Sequence, residues 1–173
     1  KANILKSKIM LDATASIGLE NYHYLADVIG FSSCKGLFGF TGAAFIAYNE
    51  PPSVNVNSFY LDINSHISKL MTGPYHSICS LYEVLKKHDQ YKLSVQINKN
   101  RFLSKFSKYI NVPEENQPLL CTYTTCEIVK NKDNVVLYKP RGLNNGSIVC
   151  HLGEVHLSKK SKGDINKAID KAD

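Results

Sequence analysis

The sequence has no long apolar run and no regular cysteine spacing, and these absences disfavour several classes of protein. Nowhere do 18 apolar residues follow one another, so the sequence predicts no transmembrane helix. Residues 1–12 also lack the apolar stretch and small-residue cleavage site of a secretory signal. The five cysteines are odd in number and without a CxxC pair, which favours reduced thiols over disulfides or zinc. We therefore expect a cytoplasmic protein that contacts no membrane.

Clustered charge and clustered metal ligands are scarce as well. The net charge of +6 comes almost entirely from lysines, which are spread along the chain without an aromatic-interleaved basic block. This pattern is typical of a solvated surface, so we predict no nucleic-acid partner. His151 and His156 flank a Gly-Glu pair, but residues five apart on a strand face opposite sides, and glycine is unfavourable on a helix. No metal site is predicted.

The first half of the chain alternates strand and helix signals. A helical turn is expected over residues 21–26. Short apolar runs predict three strands, over residues 9–11, 28–31 and 43–48. A strand, helix, strand order is typical of a parallel sheet. Thr72-Gly73-Pro74 resembles a helix start, because threonine caps free N–H groups and proline loses nothing in the first turn. A second amphipathic helix is predicted over residues 91–109.

The second half has a different character. Its turns are rich in asparagine, and a closing helix is predicted over residues 164–172. Short strands are predicted within residues 119–129, 135–138 and 147–152. Strands joined by hairpin turns and flanked by helices describe a small α+β domain. We predict two domains, residues 1–90 and 91–173. The chain starts without methionine and just before a strand, so we expect that residue 1 is not the natural beginning of the protein.

Asp12 and Lys35 carry the chemistry that the first half suggests. Asp12 closes the first predicted strand, and Lys35 ends the run Ser-Ser-Cys-Lys that follows the second. In an open parallel sheet, ligands sit beyond the carboxyl ends of the strands, so both side chains are expected to face one crevice. An aspartate there holds a pyridine nitrogen protonated, and a partly desolvated lysine attacks an aldehyde. A pyridoxal 5'-phosphate (PLP) site requires these two groups. The alternative is a capping aspartate and a surface lysine.

Residues 9–48 resemble the cofactor-lysine region of class V PLP-dependent aminotransferases. The shared pattern is an apolar strand, Asp, small residues and Gly, then Asp before a strand, Ser-x-x-Lys, a Gly-rich turn and an apolar strand. Later family landmarks have similar counterparts at residues 58–63, 72–74 and 152–155. The resemblance implies an α/β fold, namely the C-terminal part of the large domain of a fold type I PLP-dependent transferase, with a mostly parallel sheet. A small α+β C-terminal domain follows, and the family's N-terminal half is expected to lie outside this chain.

The resemblance also implies roles for individual residues. Lys35 is the implied catalytic residue, which binds PLP as a Schiff base. Asp12 is the implied partner of the pyridinium nitrogen, and Thr14 is expected to pack under the ring. Ser32 and Ser33 are the implied phosphate contacts, with the alternative that one of them satisfies local backbone groups.

Two further positions follow from the same resemblance. Thr72 corresponds to the threonine at which one subunit of the family's dimer reaches its neighbour's PLP phosphate, which implies a homodimer. Cys34 departs from the family, which usually has a hydrogen-bonding side chain just before the lysine, and we do not interpret it as a nucleophile.

Substrate recognition depends on few residues, because the sequence has only two arginines. Arg101 falls in the amphipathic helix and is expected at the surface, which leaves Arg141 to bind the acid group of the substrate. The Thr-Gly-Pro-Tyr-His run and the late Leu-Gly-Glu-Val are most similar to 2-aminoethylphosphonate–pyruvate transaminases, which implies small-molecule amine and 2-oxo acid substrates. An alanine–glyoxylate or serine–glyoxylate type of transaminase is one alternative. A non-catalytic truncated fragment or a basic binding module without cofactor is another.

Overall fold

A computed structural model describes residues 7–69, 72–110, 112–125 and 146–152 of the chain. The strands are β1 (Met10–Asp12), β2 (Val28–Ser32), β3 (Ala44–Tyr48), β4 (Cys121–Thr124) and β5 (Ser147–Cys150). The α-helices are α1 (Ile63–Lys69), α2 (Tyr75–Leu85) and α3 (His88–Phe106). The chain divides into two compact units, Lys1–Lys86 and Lys87–Asp173. This division lies in the short turn between α2 and α3, whereas the predicted boundary after residue 90 falls inside α3.

Unit 1 contains a three-stranded mixed sheet in the order β1-β2-β3. Strand β1 runs parallel to β2, with Asp12 opposite Gly30. Strand β3 runs antiparallel to β2, so the predicted parallel arrangement holds for the first pair only. The reason is the length of the connections. A parallel crossover needs a dozen or more residues, which the β1–β2 connection has, whereas the shorter link from β2 to β3 returns as a hairpin.

The sheet is held by apolar pairing between β2 and β3 and by a small core at its carboxyl edge. Phe31 faces Phe45 across the two strands, and their rings stack with centroids 5.1 Å apart. Such cross-strand aromatic pairs stabilise a sheet by about 0.2–1 kcal/mol relative to alanine. The buried apolar side chains of unit 1 are Ala13, Leu19, Ala26, Leu37, Phe38 and Ala43. Several of them lie in the two turns that follow β1 and β2, so the core fixes those turns.

The helices of unit 1 differ from prediction at their starts. No helix was predicted over Ile63–Lys69, and α1 begins there, at the end of the segment 58–63. Helix α2 begins at Tyr75, and its N-cap residue is Pro74, which makes no side-chain capping hydrogen bond. The predicted threonine cap at Thr72 is therefore wrong. A capping hydroxyl must belong to the residue directly before the helix, and Thr72 lies two residues further away.

Unit 2 pairs α3 with a two-stranded antiparallel sheet. Helix α3 begins three residues earlier than predicted, and a 3-10 turn, Ser107–Tyr109, follows it. Strands β4 and β5 are antiparallel, with Cys121 opposite Cys150. The buried residues of this unit include apolar and polar side chains: Val95, Lys99, Gln117, Leu119, Leu120, Thr122, Thr124, Ser147 and His151. The predicted strand at residues 135–138 and the predicted helix at 164–172 lie outside the described residues.

None of the helices among the described residues is long and apolar enough to cross a membrane.

Candidate functional site

Asp12 and Lys35 lie at the same edge of the unit 1 sheet. Because β1 and β2 are parallel, their carboxyl ends meet at one edge. Asp12 is the last residue of β1, and Lys35 comes three residues after the end of β2. Both side chains are exposed, and the charge of Lys35 acts on the Asp12 carboxylate. The sheet thus brings together the two residues that the sequence singled out.

The Asp12 carboxylate is held in its ionised form by the turn that follows it. Its Oδ1 accepts a hydrogen bond from the main-chain N–H of Thr14 at 3.0 Å. The Thr14 side chain and then this N–H lower the pKa of Asp12 below its ordinary value; burial opposes them slightly, and Lys35 adds to the lowering. A hydrogen bond to a carboxylate favours its charged form. Asp12 therefore presents a stable negative charge at this edge of the sheet at neutral pH.

Lys35 has an unusual backbone conformation for its residue type. Its φ is 50°, in the left-handed region that side chains other than glycine rarely adopt. Lys35 opens a 3-10 turn, Lys35–Leu37, which Phe38 closes with a second positive φ of 63°. The N–H of Phe38 donates to the carbonyl of Lys35 at 3.0 Å, and the Phe38 side chain is buried. Such a conformation persists only where the surrounding structure determines it, and it is typical of functional turns.

A glycine lets the turn of Lys35 approach the turn of Asp12. The N–H of Gly36 donates to the carbonyl of Thr14 at 3.3 Å. A Cβ atom added at Gly36 would lie 2.5 Å from the main-chain oxygen of Ile17, which is closer than atoms can pack. The absence of a side chain at this position is therefore required for the close approach of the two turns, and hence for the approach of Lys35 to Asp12.

The two serines before Lys35 have different surroundings. Ser32 is half-buried, and its Oγ lies 3.2 Å from the Sγ of Cys34, with either atom able to donate. Ser33 is fully buried, and its Oγ donates to the carbonyl of Phe40 at 2.5 Å. This geometry favours the alternative in which Ser33 satisfies local backbone groups, and it disfavours a contact between Ser33 and a phosphate. Ser32 keeps a hydroxyl that is accessible at the edge of the sheet.

Of the remaining predicted site residues, Thr72 lies within the described part of the chain and Arg141 lies outside it. Thr72 is exposed just before α2, in unit 1. Arg141 lies outside the described residues, as do Glu154 and His156 of the Gly-Glu segment. Across the described ranges, no group of three histidine, cysteine, aspartate or glutamate side chains is arranged to hold a metal ion.

The sequence analysis missed two histidine contacts that the structure shows. His23 Nε2 lies 2.9 Å from the hydroxyl of Ser16, which ties the turn after β1 to the 3-10 turn before β2. In unit 2, buried His151 lies 2.8 Å through Nε2 from the hydroxyl of Thr122. A sequence signal for the first contact is the glycine at position 18, whose φ of 75° folds the intervening segment back on itself.

The donor set at the sheet edge fits an aldehyde-bearing pyridine. An exposed primary amine, an ionised carboxylate within reach of its charge and an accessible hydroxyl stand at one edge. The amine can form a covalent adduct with an aldehyde, and the carboxylate can accept a hydrogen bond from a protonated ring nitrogen. Lys35, Asp12 and Ser32 are thus the residues that could hold such a group.

No protein-family model matches the sequence, and no curated protein matches it either. In structure, the chain is similar to an alanine–glyoxylate aminotransferase from Nostoc sp., with a TM-score of 0.60 and 18% sequence identity. The similarity covers 73% of this chain and 40% of that one, so the chain spans less than half the length of this neighbour. At this identity the likeness is one of fold alone, and it supports an α/β fold for the chain.

Proposed function

We propose that this chain belongs to a PLP-dependent aminotransferase in which Lys35 holds the cofactor and Asp12 faces its pyridine nitrogen. The observation that carries the proposal is that Asp12 and Lys35 follow two parallel strands at one sheet edge, where the charge of Lys35 acts on the Asp12 carboxylate. The fold similarity to an aminotransferase supports it independently. The chain spans only part of that neighbour, so the activity proposed here is that of the whole protein.

Each residue of the site has a distinct role in this proposal. PLP, when bound, supplies the electron sink that amino-group transfer requires. Lys35 would hold the cofactor through its Nζ, by condensation with the aldehyde and loss of water, and would move a proton at the substrate carbon. Asp12 keeps the ring nitrogen protonated, and Thr14 keeps Asp12 ionised through its two hydrogen bonds. Ser32 offers its hydroxyl to the phosphate.

The proposal is tested by chemical trapping on the 173-residue chain. The protein is incubated with PLP and reduced with borohydride, and peptides are analysed by mass spectrometry for pyridoxyl-lysine. We expect the label to favour Lys35 over the exposed Lys69 of the same unit by roughly tenfold, a free-energy difference of about 1.4 kcal/mol. Lys69 is a matched control because it is exposed but lies beside the ring of Phe59, away from any carboxylate partner that the described residues show.

Two variants complete this test. Lys35→Ala should abolish the preferred label, and Asp12→Asn should reduce the preference because it removes the negative charge beside the ring nitrogen. Labelling spread evenly over the lysines of the unsubstituted chain would contradict the proposal. Salt-sensitive binding of nucleic acid without any chromophore would favour a basic binding module instead.

The amino donor and the assembly are finer parts of the proposal. The resemblance at residues 72–76 and 152–155 favours 2-aminoethylphosphonate as donor and pyruvate as acceptor. In this version Arg141 binds the acid group of the substrate, and Thr72 reaches the phosphate bound by the partner subunit of a homodimer. The fold neighbour favours alanine as donor and glyoxylate as acceptor, because these are the substrates in its name. Amine exchange assayed in the full-length protein with 2-aminoethylphosphonate, alanine and serine separates these donors. Loss of acid-group discrimination in Arg141→Ala would support its role.

A further inference from the structure

Ser33 lies directly after β2 and uses all of its polar groups within a single loop. Its side chain is 0% exposed. Its Oγ donates to the carbonyl of Phe40 and accepts from the N–H of Ala43 at 3.3 Å. Its own N–H donates to the carbonyl of Ala43 at 3.0 Å, and its carbonyl accepts from the N–H of Gly39 at 2.8 Å. These bonds close residues 34–42 into a defined loop between β2 and β3, which we call the lysine loop.

The lysine loop is fixed at two places, and Lys35 lies between them. On one side, Ser33 bonds to the loop's far end. On the other, Gly36 donates to Thr14 and packs against Ile17 so closely that no Cβ would fit. A lysine keeps the left-handed conformation only where the surrounding structure holds it there. The two attachments therefore fix the backbone from which the Lys35 side chain extends.

The hydrogen-bonding capacity of serine decides between two roles for Ser33. A hydroxyl has one proton to donate, and a phosphate oxygen is an acceptor. The proton of the fully buried Ser33 hydroxyl is already donated to the carbonyl of Phe40 at 2.5 Å. A bond from Ser33 to a phosphate would require breaking this one and opening the loop. Ser32 differs, because the side-chain hydrogen bond that it makes within the described part of the chain is the 3.2 Å approach to Cys34, in which the thiol can be the donor.

We infer that Ser33 is a positioning residue whose buried hydroxyl closes the lysine loop and so directs the amine of Lys35 towards Asp12, while Ser32 is the serine that contacts the cofactor phosphate. This inference rests on the proposed function for the identity of the cofactor. The closure of the lysine loop by Ser33 stands on the geometry alone.

The matched variants Ser33→Ala and Ser32→Ala separate the two roles. Each is labelled with PLP and, separately, with pyridoxal, which has the same aldehyde but no phosphate, and borohydride-trapped label at Lys35 is quantified. Ser33→Ala should lower labelling by both aldehydes to the same extent, on the order of tenfold, because a misdirected amine reacts poorly with either. Ser32→Ala should lower labelling by PLP and leave labelling by pyridoxal unchanged.

Several results would overturn the inference. A Ser33→Ala loss confined to PLP would make Ser33 the phosphate contact, and no loss with either aldehyde would mean that the loop does not direct the lysine. Ser33→Cys keeps the volume with a weaker donor, so it should fall between the parent and Ser33→Ala if the hydrogen bond is the cause. This variant also covers the case in which the alanine protein folds poorly.

A second measurement separates failure of this inference from failure of the proposed function. Hydrogen exchange at the amides of Gly39 and Ala43 reports closure of the loop without any cofactor, and carboxyl titration of Asp12 reports the nearness of the Lys35 charge. Ser33→Ala should speed both exchange rates at least several-fold and raise the pKa of Asp12, whereas Ser32→Ala should change neither. If Lys35 shows no preferred label but these shifts occur, the proposed function is wrong and the loop closure is right. If the shifts are absent, the positioning role is wrong.

Discussion

At the scale of single residues, the site depends on a short turn that keeps one carboxylate charged. Thr14 contacts Asp12 twice, once through its hydroxyl and once through its main-chain N–H. The sequence suggested a packing role for Thr14 under a ring, and the structure adds an electrostatic one. Thr14 thus contributes to the turn and also stabilises the negative charge of the Asp12 carboxylate.

Removing the Thr14 hydroxyl should raise the pKa of Asp12 towards its ordinary value. Thr14→Ala loses the side-chain hydrogen bond, which is the largest cause of the lowering, and keeps the main-chain one. Thr14→Ser keeps both bonds and is the matched control. The measurement is an NMR titration of the Asp12 carboxyl carbon in the two variants and the parent.

The sign of the linked stability effect follows from the same shift. Since the folded pKa lies below the unfolded one, ionised Asp12 stabilises the fold above about pH 4, and this contribution is lost as the pH falls through the folded pKa. In Thr14→Ala, the free energy of unfolding should therefore fall less steeply as the pH is lowered below about 4. An identical titration in the alanine and serine variants would show that the hydroxyl plays no part.

At the scale of elements, the site is made by two turns that follow parallel strands and touch each other. The approach depends on a glycine in one turn and on the curvature of the other. The sequence indicated a Gly-rich segment here but did not indicate which glycine is required. Gly30 provides a contrast, because a Cβ added there would meet nothing within 4 Å.

The two glycines should respond differently to alanine. Gly36→Ala forces a Cβ against the Ile17 main chain and should lower the free energy of unfolding by about 1–3 kcal/mol, as overpacking does. It should also separate the Lys35 turn from the Asp12 turn. Gly30→Ala should change the stability by less than about 1 kcal/mol in either direction. Urea denaturation of both variants measures the difference in the free energy of unfolding. An equal decrease in the two variants would mean that the close contact between the two turns does not require a glycine at position 36.

At the scale of the whole molecule, the two units carry different kinds of core. Unit 1 buries apolar side chains and the neutral polar Ser33 and Ser77, whereas unit 2 also buries His151 and Lys99, which are 4% and 5% exposed. The Lys99 Nζ donates to the carbonyl of Gln117 at 3.3 Å. Burial, and then the charge of Lys99, lower the pKa of His151 to about 4. A buried cation beside a neutral imidazole makes the stability of unit 2 depend on pH.

We expect unit 2 to lose stability as the pH falls below about 6.5, the ordinary pKa of histidine. Between that value and about 4 the unfolded chain binds a proton at His151 that the folded unit does not, so the loss grows to on the order of 3 kcal/mol. His151→Gln should remove most of this dependence. His76→Gln, at an exposed position, should leave it intact. Methyl NMR signals of Val95 and Ala13 follow the two units separately, and equal acid sensitivity in both would contradict the assignment to His151.

Local sequence patterns were sufficient to predict the strand positions of unit 1. Alternating apolar runs located β1, β2 and β3 to within one or two residues, and the strand ends located Asp12 and Lys35. The start of α2 was misplaced because threonine and proline favour several positions around a helix start, and only the backbone path selects one. Ser33 and its acceptor Phe40 are seven positions apart in the sequence, so no local pattern revealed the hydrogen bond between them.

The sequence by itself determined which residues end the two parallel strands, because periodicity and residue type are properties of neighbours along the chain. The tertiary structure decided the rest: that β3 returns antiparallel, that Ser33 is buried while Ser32 is accessible, and that His151 lies against Thr122. These features depend on which atoms meet after the chain has folded. Burial and hydrogen-bond partners arise from packing between segments distant in sequence, and that packing assigns a different role to two identical side chains one residue apart.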